Sequence, residues 1–286
     1  MAHQPTVTMR YGTLDQGYLA TLVDTPPEDD GPIWMVNLMK YREVADYSQV
    51  LDDSIGDIPR SPISGRAADD RYAPFGPLAA VGAEIVFIAD VESQLLGDNP
   101  TWDRVAVVKY PSRRSFVEME ARPDFQAKHV HKDAGIQETI VIGCLPIETP
   151  SIPADAPDWT DVAHPPTVED PAVVVLHVLR YHEAELDHMT TYQNEAGEVA
   201  VPHGVRLAGW FQAEGTIIGD GRRWDQARFN AFPSKAAFMA VVFDPERLKA
   251  QAEHRETAVA DTYTMILRPI YDRLRESIDA ETPGPA

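Results

Sequence analysis

Cysteine occurs once in the 286 residues, at Cys144, so no internal disulfide can form and no thiolate cluster is available for zinc or an iron–sulfur centre. No run of about eighteen apolar residues is present to span a bilayer, and no charged-then-apolar leader directs export. A cytoplasmic location is the expectation. Basic residues are scarce, 25 Lys and Arg against 45 Asp and Glu, for a formal charge of −20. That field repels phosphate backbones and anionic lipid, which argues against nucleic acid and membrane as partners and leaves a small molecule. The phosphate loop, the dinucleotide fingerprint and the nucleophile elbow are all missing.

What the chain contains instead is one unit written twice. WDRVAVVKYPSRRSFVEMEARPDF and HKDAGIQETIVIGCLP, from Trp102 to Pro146, align with WDQARFNAFPSKAAFMAVVFDPERL and HRETAVADTYTMILRP, from Trp224 to Pro269. Trp102 meets Trp224, Pro111-Ser112 meets Pro233-Ser234, and Pro123 meets Pro245. A single one-residue slip after Pro123 then brings His131 onto His254, with Lys132 against Arg255. Upstream, Gly82 to Asp98 matches Gly204 to Asp220, and Ile33 to Glu43 matches Val173 to Glu183. One register held through so many positions is a duplication. The offset changes because the first copy carries an extra polar loop around Ser54 to Arg71.

Each copy predicts the order β-α-β-β-α-β. Ile33 to Tyr41 and Val173 to Tyr181 are apolar runs too short for typical helices and read as buried strands. Polar stretches at Val44 to Asp52 and Ala184 to Glu195 read as helices. Two strands follow, near residues 83–91 and 102–110 or 205–213 and 224–232, joined by a turn containing Gly-Asp. Ser112 and Ser234 are placed as N-caps of the next helix, and Asp244-Pro245-Glu246 restarts it. A last strand runs over residues 138–145 or 261–268. The expected organisation is an N-terminal leader segment (1–30), copy one (31–146), a Pro- and acid-rich linker (147–170), copy two (171–270) and a tail (271–286) in which YDRLRESI adds a helical turn or two.

This pattern is ferredoxin-like. The residues that carry it further are a strand ending Trp-Asp, a short strand running to Tyr110-Pro111-Ser112 or Phe232-Pro233-Ser234, an aromatic four residues on, and a proline break. In these the chain resembles the DUF1330 family of the dimeric α/β-barrel superfamily, over both copies. The resemblance implies an α+β fold in which tandem ferredoxin-like repeats form an internal pseudo-dimeric α/β barrel, with any ligand between the two sheets. It also implies kinship with cofactor-free isomerases, polyketide cyclases and monooxygenases, with haem enzymes, and with small-ligand regulators.

Strand parity then selects candidate residues. Trp34, Val36 and Leu38, like Val174, Leu176 and Val178, form an apolar face expected to meet the helices. The opposite parity, expected to face the space between the sheets, carries Asn37 and Tyr41 in copy one and His177 and Tyr181 in copy two. On the third strand it carries Arg104 and Tyr110 in copy one, and Arg228 and Asn230 in copy two; Trp210, with Arg206, joins from the second strand. Copy two is the more polar. His177 suits a near-neutral general base or acid, Arg228 a cation for a carboxylate or enolate, and Tyr181 or Tyr41 a hydrogen-bond donor. The plainer alternative is that these groups satisfy one another across a structural seam. His131 and His254, kept in both copies, have a helix-terminal role as their first reading and a shuttle or haem ligand as their second. Cys144 reads as buried core.

The expectation is an enzyme without a metal or organic cofactor, using acid–base chemistry on a carbonyl-containing, aromatic or polyketide-like substrate: an isomerase, cyclase or lyase. Its catalytic residues are His177, Arg228 and Tyr181; its substrate-binding residues are Asn37, Tyr41, Arg104, Tyr110, Trp210, Asn230, His254 and His131. The alternatives are a non-catalytic small-ligand-binding protein and a haem-binding enzyme. A homodimer of the internal pseudo-dimer is allowed.

Overall fold

The computed structural model describes residues 7–50, 57–182 and 185–281. The chain forms two compact units that are not continuous in sequence: residues 1–88, 100–145 and 214–223 in the first, and residues 89–99, 146–213 and 224–286 in the second. Both combine antiparallel strands with helices, an α+β architecture. No helix among the described residues is long and apolar enough to cross a membrane.

In chain order the first repeat contains β1 (Val7–Met9), β2 (Gly12–Leu14), α1 (Gln16–Asp24), β3 (Ile33–Tyr41), α2 (Gly65–Tyr72), α3 (Phe75–Ala80), β4 (Glu84–Leu96), β5 (Arg104–Tyr110), α4 (Arg113–Glu120), α5 (Pro123–Gly135) and β6 (Ile136–Pro146). The second contains β7 (Val173–Tyr181), α6 (Leu186–Ala200), β8 (Arg206–Gly219), β9 (Gln226–Phe232), α7 (Lys235–Val242), α8 (Pro245–Ala250), a π turn over Gln251–Arg255, α9 (Glu256–Ala258), β10 (Val259–Asp272) and α10 (Leu274–Asp279). Strand order is β6-β3-β5-β4 in the first unit and β10-β7-β9-β8 in the second. In each, the first strand of the repeat is central, hydrogen-bonded on both sides. A central strand covered on both faces is apolar at nearly every position, which is why β3 and β7 read as unbroken runs.

The N-caps form as the sequence suggests. Ser112 and Ser234 accept from the backbone N–H groups of Ser115 and Ala237, and Asp244 accepts from Glu246 and Arg247. A second acid reinforces each Pro-Ser cap: Asp30 accepts from the N–H groups of Arg113 and Arg114, and Asp170 from those of Lys235 and Ala236.

Four expectations change. The first helix of copy one is not at Val44 to Asp52, of which 44–50 are irregular and 51–52 lie outside the described residues. It forms instead within the supposed loop, as α2, where Ser64 caps the N–H of Ala67. Gly65 lets α2 close on α5, since a Cβ there would lie 2.3 Å from the carbonyl oxygen of Gly135. Residues 54–56 of that loop, and 183–184 before α6, are likewise outside the described set. Second, the leader is folded from residue 7. β2 pairs with the end of β8, Thr13 opposite Gly219, and Tyr18 of α1 donates to Glu214 at 2.8 Å. A Cβ at Gly143 or Gly215 would fall 1.9 or 2.4 Å from the Tyr18 ring or hydroxyl, so glycine is required at both. Third, the C-terminal segment does more than trail: the helical turn expected in YDRLRESI forms as α10, and it packs Leu274 and Ile278 inside. Fourth, the faces of the central strands are reversed. Val173 and Val175 pack with Phe238 and Val241 of α7, and Ile33 and Met35 with Phe116, Met119 and Phe125 of α4 and α5. The helices therefore cover the parity that carries Asn37 and His177, not that of Trp34 and Val174. All of Trp34, Val36, Leu38, Val174, Leu176 and Val178 are buried as well, so apolarity could not tell the two faces apart.

The duplicated position at the start of α4 and α7 holds an ion pair in each unit. Arg113 makes hydrogen-bonded ion pairs with Glu214 and Asp30, its side chain 8% and that of Glu214 19% exposed. Its counterpart Lys235 pairs with Glu92 at 2.6 Å, at 40% and 25% exposure. Arg113→Ala strands a buried carboxylate and is expected to cost about 3 kcal/mol. Lys235→Ala, better solvated, is expected to cost about 1 kcal/mol or less. Chemical denaturation of the two variants measures the difference; equal losses would contradict it.

Candidate functional site

Four strands of the second unit place one residue each on a single row. Thr264 on β10 lies opposite His177 on β7, His177 opposite Arg228 on β9, and Arg228 opposite Trp210 on β8. A bulge between Leu207 and Gly209 shifts the register of β8, so Leu207 shares the cavity side with Trp210. Arg206, expected there by simple parity, instead donates to the carbonyls of Val205 and Pro157.

This row forms the floor of a cavity of about 1040 Å³ between the sheet and α6, α7, α8 and the π turn. Its walls are mainly apolar, including Leu179, Met189, Tyr192, Phe232 and Phe238. Leu95, Leu96, Phe243 and Leu248 also line it and are 39%, 40%, 68% and 44% exposed, which makes an apolar mouth.

Inside, His177 Nδ1 is 3.1 Å from the hydroxyl of Thr264. Burial, and then the charges of Arg228, Arg255 and Arg247, hold its pKa well below the ordinary imidazole value, so the ring is neutral. The Arg228 guanidinium lies over the Trp210 ring, 4.4 Å from its centroid, and Nη2 donates to Gln226 Oε1 at 2.8 Å. Gln226 also accepts from the Tyr181 hydroxyl at 2.9 Å. Burial pushes that phenol up to about 12, against the lowering effect of Arg228. Arg228 Nε, Trp210 Nε1 and Asn230 Oδ1 are buried without a hydrogen-bond partner, an exceptional state for polar groups.

The equivalent row in the first unit is Val141, Asn37 and Ala106. Its cavity is about 260 Å³. Asn37 donates to the carbonyl of Met35. Arg104 is matched by Asp69 and Asp70 of α2, both at 3.2 Å, and Tyr41 donates to Asp69 at 2.6 Å. Here the arginine is balanced from within.

Of the residues expected to form the site, the structure gathers His177, Arg228, Trp210 and Asn230 around one cavity, with Tyr181 linked to Arg228 through Gln226 by two hydrogen bonds. Asn37, Arg104 and Tyr110 line the other cavity and belong to the first unit, as does Tyr41. His131 and His254 line neither. His131 bonds the Tyr47 hydroxyl at 2.8 Å, and His254 bonds His188 at 3.0 Å. The residue after each histidine is the one that turns inward: Lys132 into the first cavity, Arg255 into the second. Arg247, Gln251 and Arg255, four apart, share the cavity side of their helical segment, a spacing visible in the sequence. His129 and Glu120 of the first cavity were also missed. Cys144 is wholly buried.

No family model matches the chain, and no curated protein matches it. Among solved structures it is similar to the RPA0582 protein of Rhodopseudomonas palustris, at 24% identity over 50% of this chain and 100% of that one, with a TM-score of 0.39. It is also similar to a chlorite dismutase variant of Candidatus Nitrospira defluvii, at 11% identity over 91% and 98% of the two chains and a TM-score of 0.46. An anthrone oxidase-like protein is similar at 12% identity over 85% and 93%, with a TM-score of 0.46.

The depressed pKa of His177 sets a pH dependence of stability. Above about pH 6.5 the imidazole is neutral in the folded and the unfolded chain alike. As pH falls below that value the unfolded chain takes a proton that the folded chain refuses, and stability drops until the folded pKa is reached. His129, lowered by burial to about 3, acts in the same sense. Glu120, raised by burial to about 6, acts in the opposite sense, because the folded chain protonates it first. Between about pH 7 and 5, His177→Asn is expected to lose less stability than the parent. Parallel curves of melting temperature against pH would refute this.

Proposed function

We propose that the second unit is the active unit of a small-molecule enzyme, each repeat being ferredoxin-like, and that it moves a proton at carbon beside a carbonyl without an organic cofactor. The observation that carries this reading is the placing of His177 and Arg228 at opposite positions of neighbouring strands on the floor of an apolar cavity. A neutral imidazole can accept a proton, and Nε2 has no protein partner among the described residues while Nδ1 is held by Thr264. As the C–H bond breaks, its electron pair moves onto the carbonyl oxygen, and Arg228 stabilises the enolate. In the empty cavity the arginines make His177 a weak base. A bound anion offsets their charge and raises the basicity of the ring, so the base gains strength when substrate is present. Return of the proton to another carbon, or loss of a leaving group from the enolate, gives isomerase or lyase chemistry. Tyr181 acts by orienting Gln226, and through it Arg228.

The test is deuterium exchange in D₂O with a panel of 3-oxo acids, followed by NMR. His177→Asn installs the residue of the inactive copy and is expected to lower exchange by about 100-fold or more with the fold retained. Arg228→Ala is expected to lower it by about 100- to 1000-fold. Asn37→His leaves exchange in place, because Ala106 stands where Arg228 would be needed. Full exchange in His177→Asn sinks the proposal. Tight binding with no exchange in the parent favours a binding protein, and a Soret band in the purified protein favours a haem enzyme.

A further inference from the structure

Arg228, Arg247 and Arg255 all line the second cavity, and among the described residues none of the three makes an ion pair with a carboxylate. This is unusual for the chain, which holds 45 acidic residues against 25 basic ones. Arg113 and Arg104, the other arginines drawn into the interior at a duplicated position or a cavity wall, each have two carboxylates. Among the described residues that line the second cavity the one acid is Glu198, an exposed residue. The partners that the three arginines do have are neutral: Gln226 for Arg228, the carbonyl of Val242 for Arg247 and the hydroxyl of Thr262 for Arg255. Burial, with repulsion from Arg247, lowers the pKa of Arg255, and burial with repulsion from Arg255 lowers that of Arg228. A desolvated cation without counter-charge is costly, and Arg228 and Arg255 stand beside a third, the part-buried Arg247.

The cations stand on different walls. Arg228 projects from β9 on the sheet side, whereas Arg247 and Arg255 belong to α8 and the π turn. The π turn has a sequence origin. The helical segment Pro123–Gly135 in the first repeat has 13 residues; its counterpart from Pro245 to Ala258 is one residue longer, the single-residue slip in the repeat alignment, and the extra residue is taken up as π geometry at Gln251–Arg255. The interruption ends on Arg255 itself.

We infer that the ligand of this cavity is an organic dianion with an apolar body, one acidic group meeting Arg228 at the sheet and the other meeting Arg247 and Arg255 at the helical wall. A single carboxylate takes one guanidinium fork and leaves two cations unmatched. The apolar body answers to Trp210, Tyr192 and Phe232 inside and to Leu95 and Phe243 at the mouth, and about 1040 Å³ holds a molecule of that size. The inference rests on the second cavity being the functional site and is independent of the proton-transfer chemistry assigned to His177.

Calorimetric titration of the full chain tests it with two pairs of probes, phthalate against benzoate and naphthalene-2,6-dicarboxylate against 2-naphthoate. At least one dicarboxylate is expected to bind about tenfold or more tightly than its monoacid, a difference of about 1.4 kcal/mol. Arg255→Met is expected to remove that advantage and leave the monoacid affinity unchanged, whereas Arg228→Met weakens both. In the absence of any ligand, Arg255→Met is expected to raise the melting temperature at low salt by a few degrees, since it removes one of three like charges. The inference is overturned if neither dicarboxylate outbinds its monoacid, if the advantage survives Arg255→Met, or if ligand-free Arg255→Met melts lower than the parent. A dianion preference that persists in His177→Asn, with deuterium exchange absent from the parent, sinks the catalytic reading alone.

Discussion

Arg113 and Arg255 are equally withdrawn from solvent, each 7% exposed, yet one is paired with two carboxylates and the other makes no ion pair among the described residues. The cost of a desolvated guanidinium governs both situations. In the first unit it is met by the protein itself. Glu214, on the far half of β8, pairs with Arg113 and accepts from Tyr18, and this requires that residues 214–223 pack with the first unit although they are encoded in the second repeat. Glu92, at the equivalent place on β4, serves Lys235 in the second unit. Gly143 and Gly215 are glycines because the Tyr18 ring lies against them.

The two repeats put the same backbone to different ends. On the first, α2 brings Asp69 and Asp70 to Arg104, and the row at mid-sheet is Asn37 beside Ala106, so the cavity is small and its arginine is paired. On the second, the row is His177 beside Arg228, no carboxylate arrives, and the cavity is about four times larger. The second cavity holds three buried polar atoms without a partner, Arg228 Nε, Trp210 Nε1 and Asn230 Oδ1, against His129 Nδ1 in the first, and unmet polar groups are where ligand energy is gained. The longer helical segment of the second repeat has a π turn ending on Arg255, which stands in the wall of the second cavity where Lys132 stands in that of the first.

Much of this was legible from residue order. The register of the duplication located the four strands of each repeat, though not β1 and β2 of the leader, because hydrophobic runs bounded by Trp-Asp and Pro-Ser have few other ways to fold. Strand parity put His177, Arg228 and Asn230 on a common face, and period two in a β-strand makes that inference nearly geometric. The asymmetry between Asn37 with Ala106 and His177 with Arg228 was readable by alignment alone. Which covering that face would receive was not readable, since both faces of β3 and β7 are buried and equally apolar outside the site. The structure placed the helices over the polar parity, the reverse of what apolarity suggested.

Other features depended on contacts between segments far apart in the chain. That α2 forms inside a polar stretch depends on Gly65 meeting Gly135, seventy residues away, and no local propensity encodes such an approach. The folding of residues 7–24 depends on the end of β8. His131 and His254 drew attention as the duplicated titratable pair, but a helix turns about 100° per residue, so the neighbouring Lys132 and Arg255 point into the cavities instead. The sequence by itself determined the duplicated α+β scaffold, the strand rows and the identities of the residues on them. Tertiary structure alone decided which cations are neutralised, because a charge pair is formed by distance and burial, and neither is a property of one residue or its neighbours in the chain.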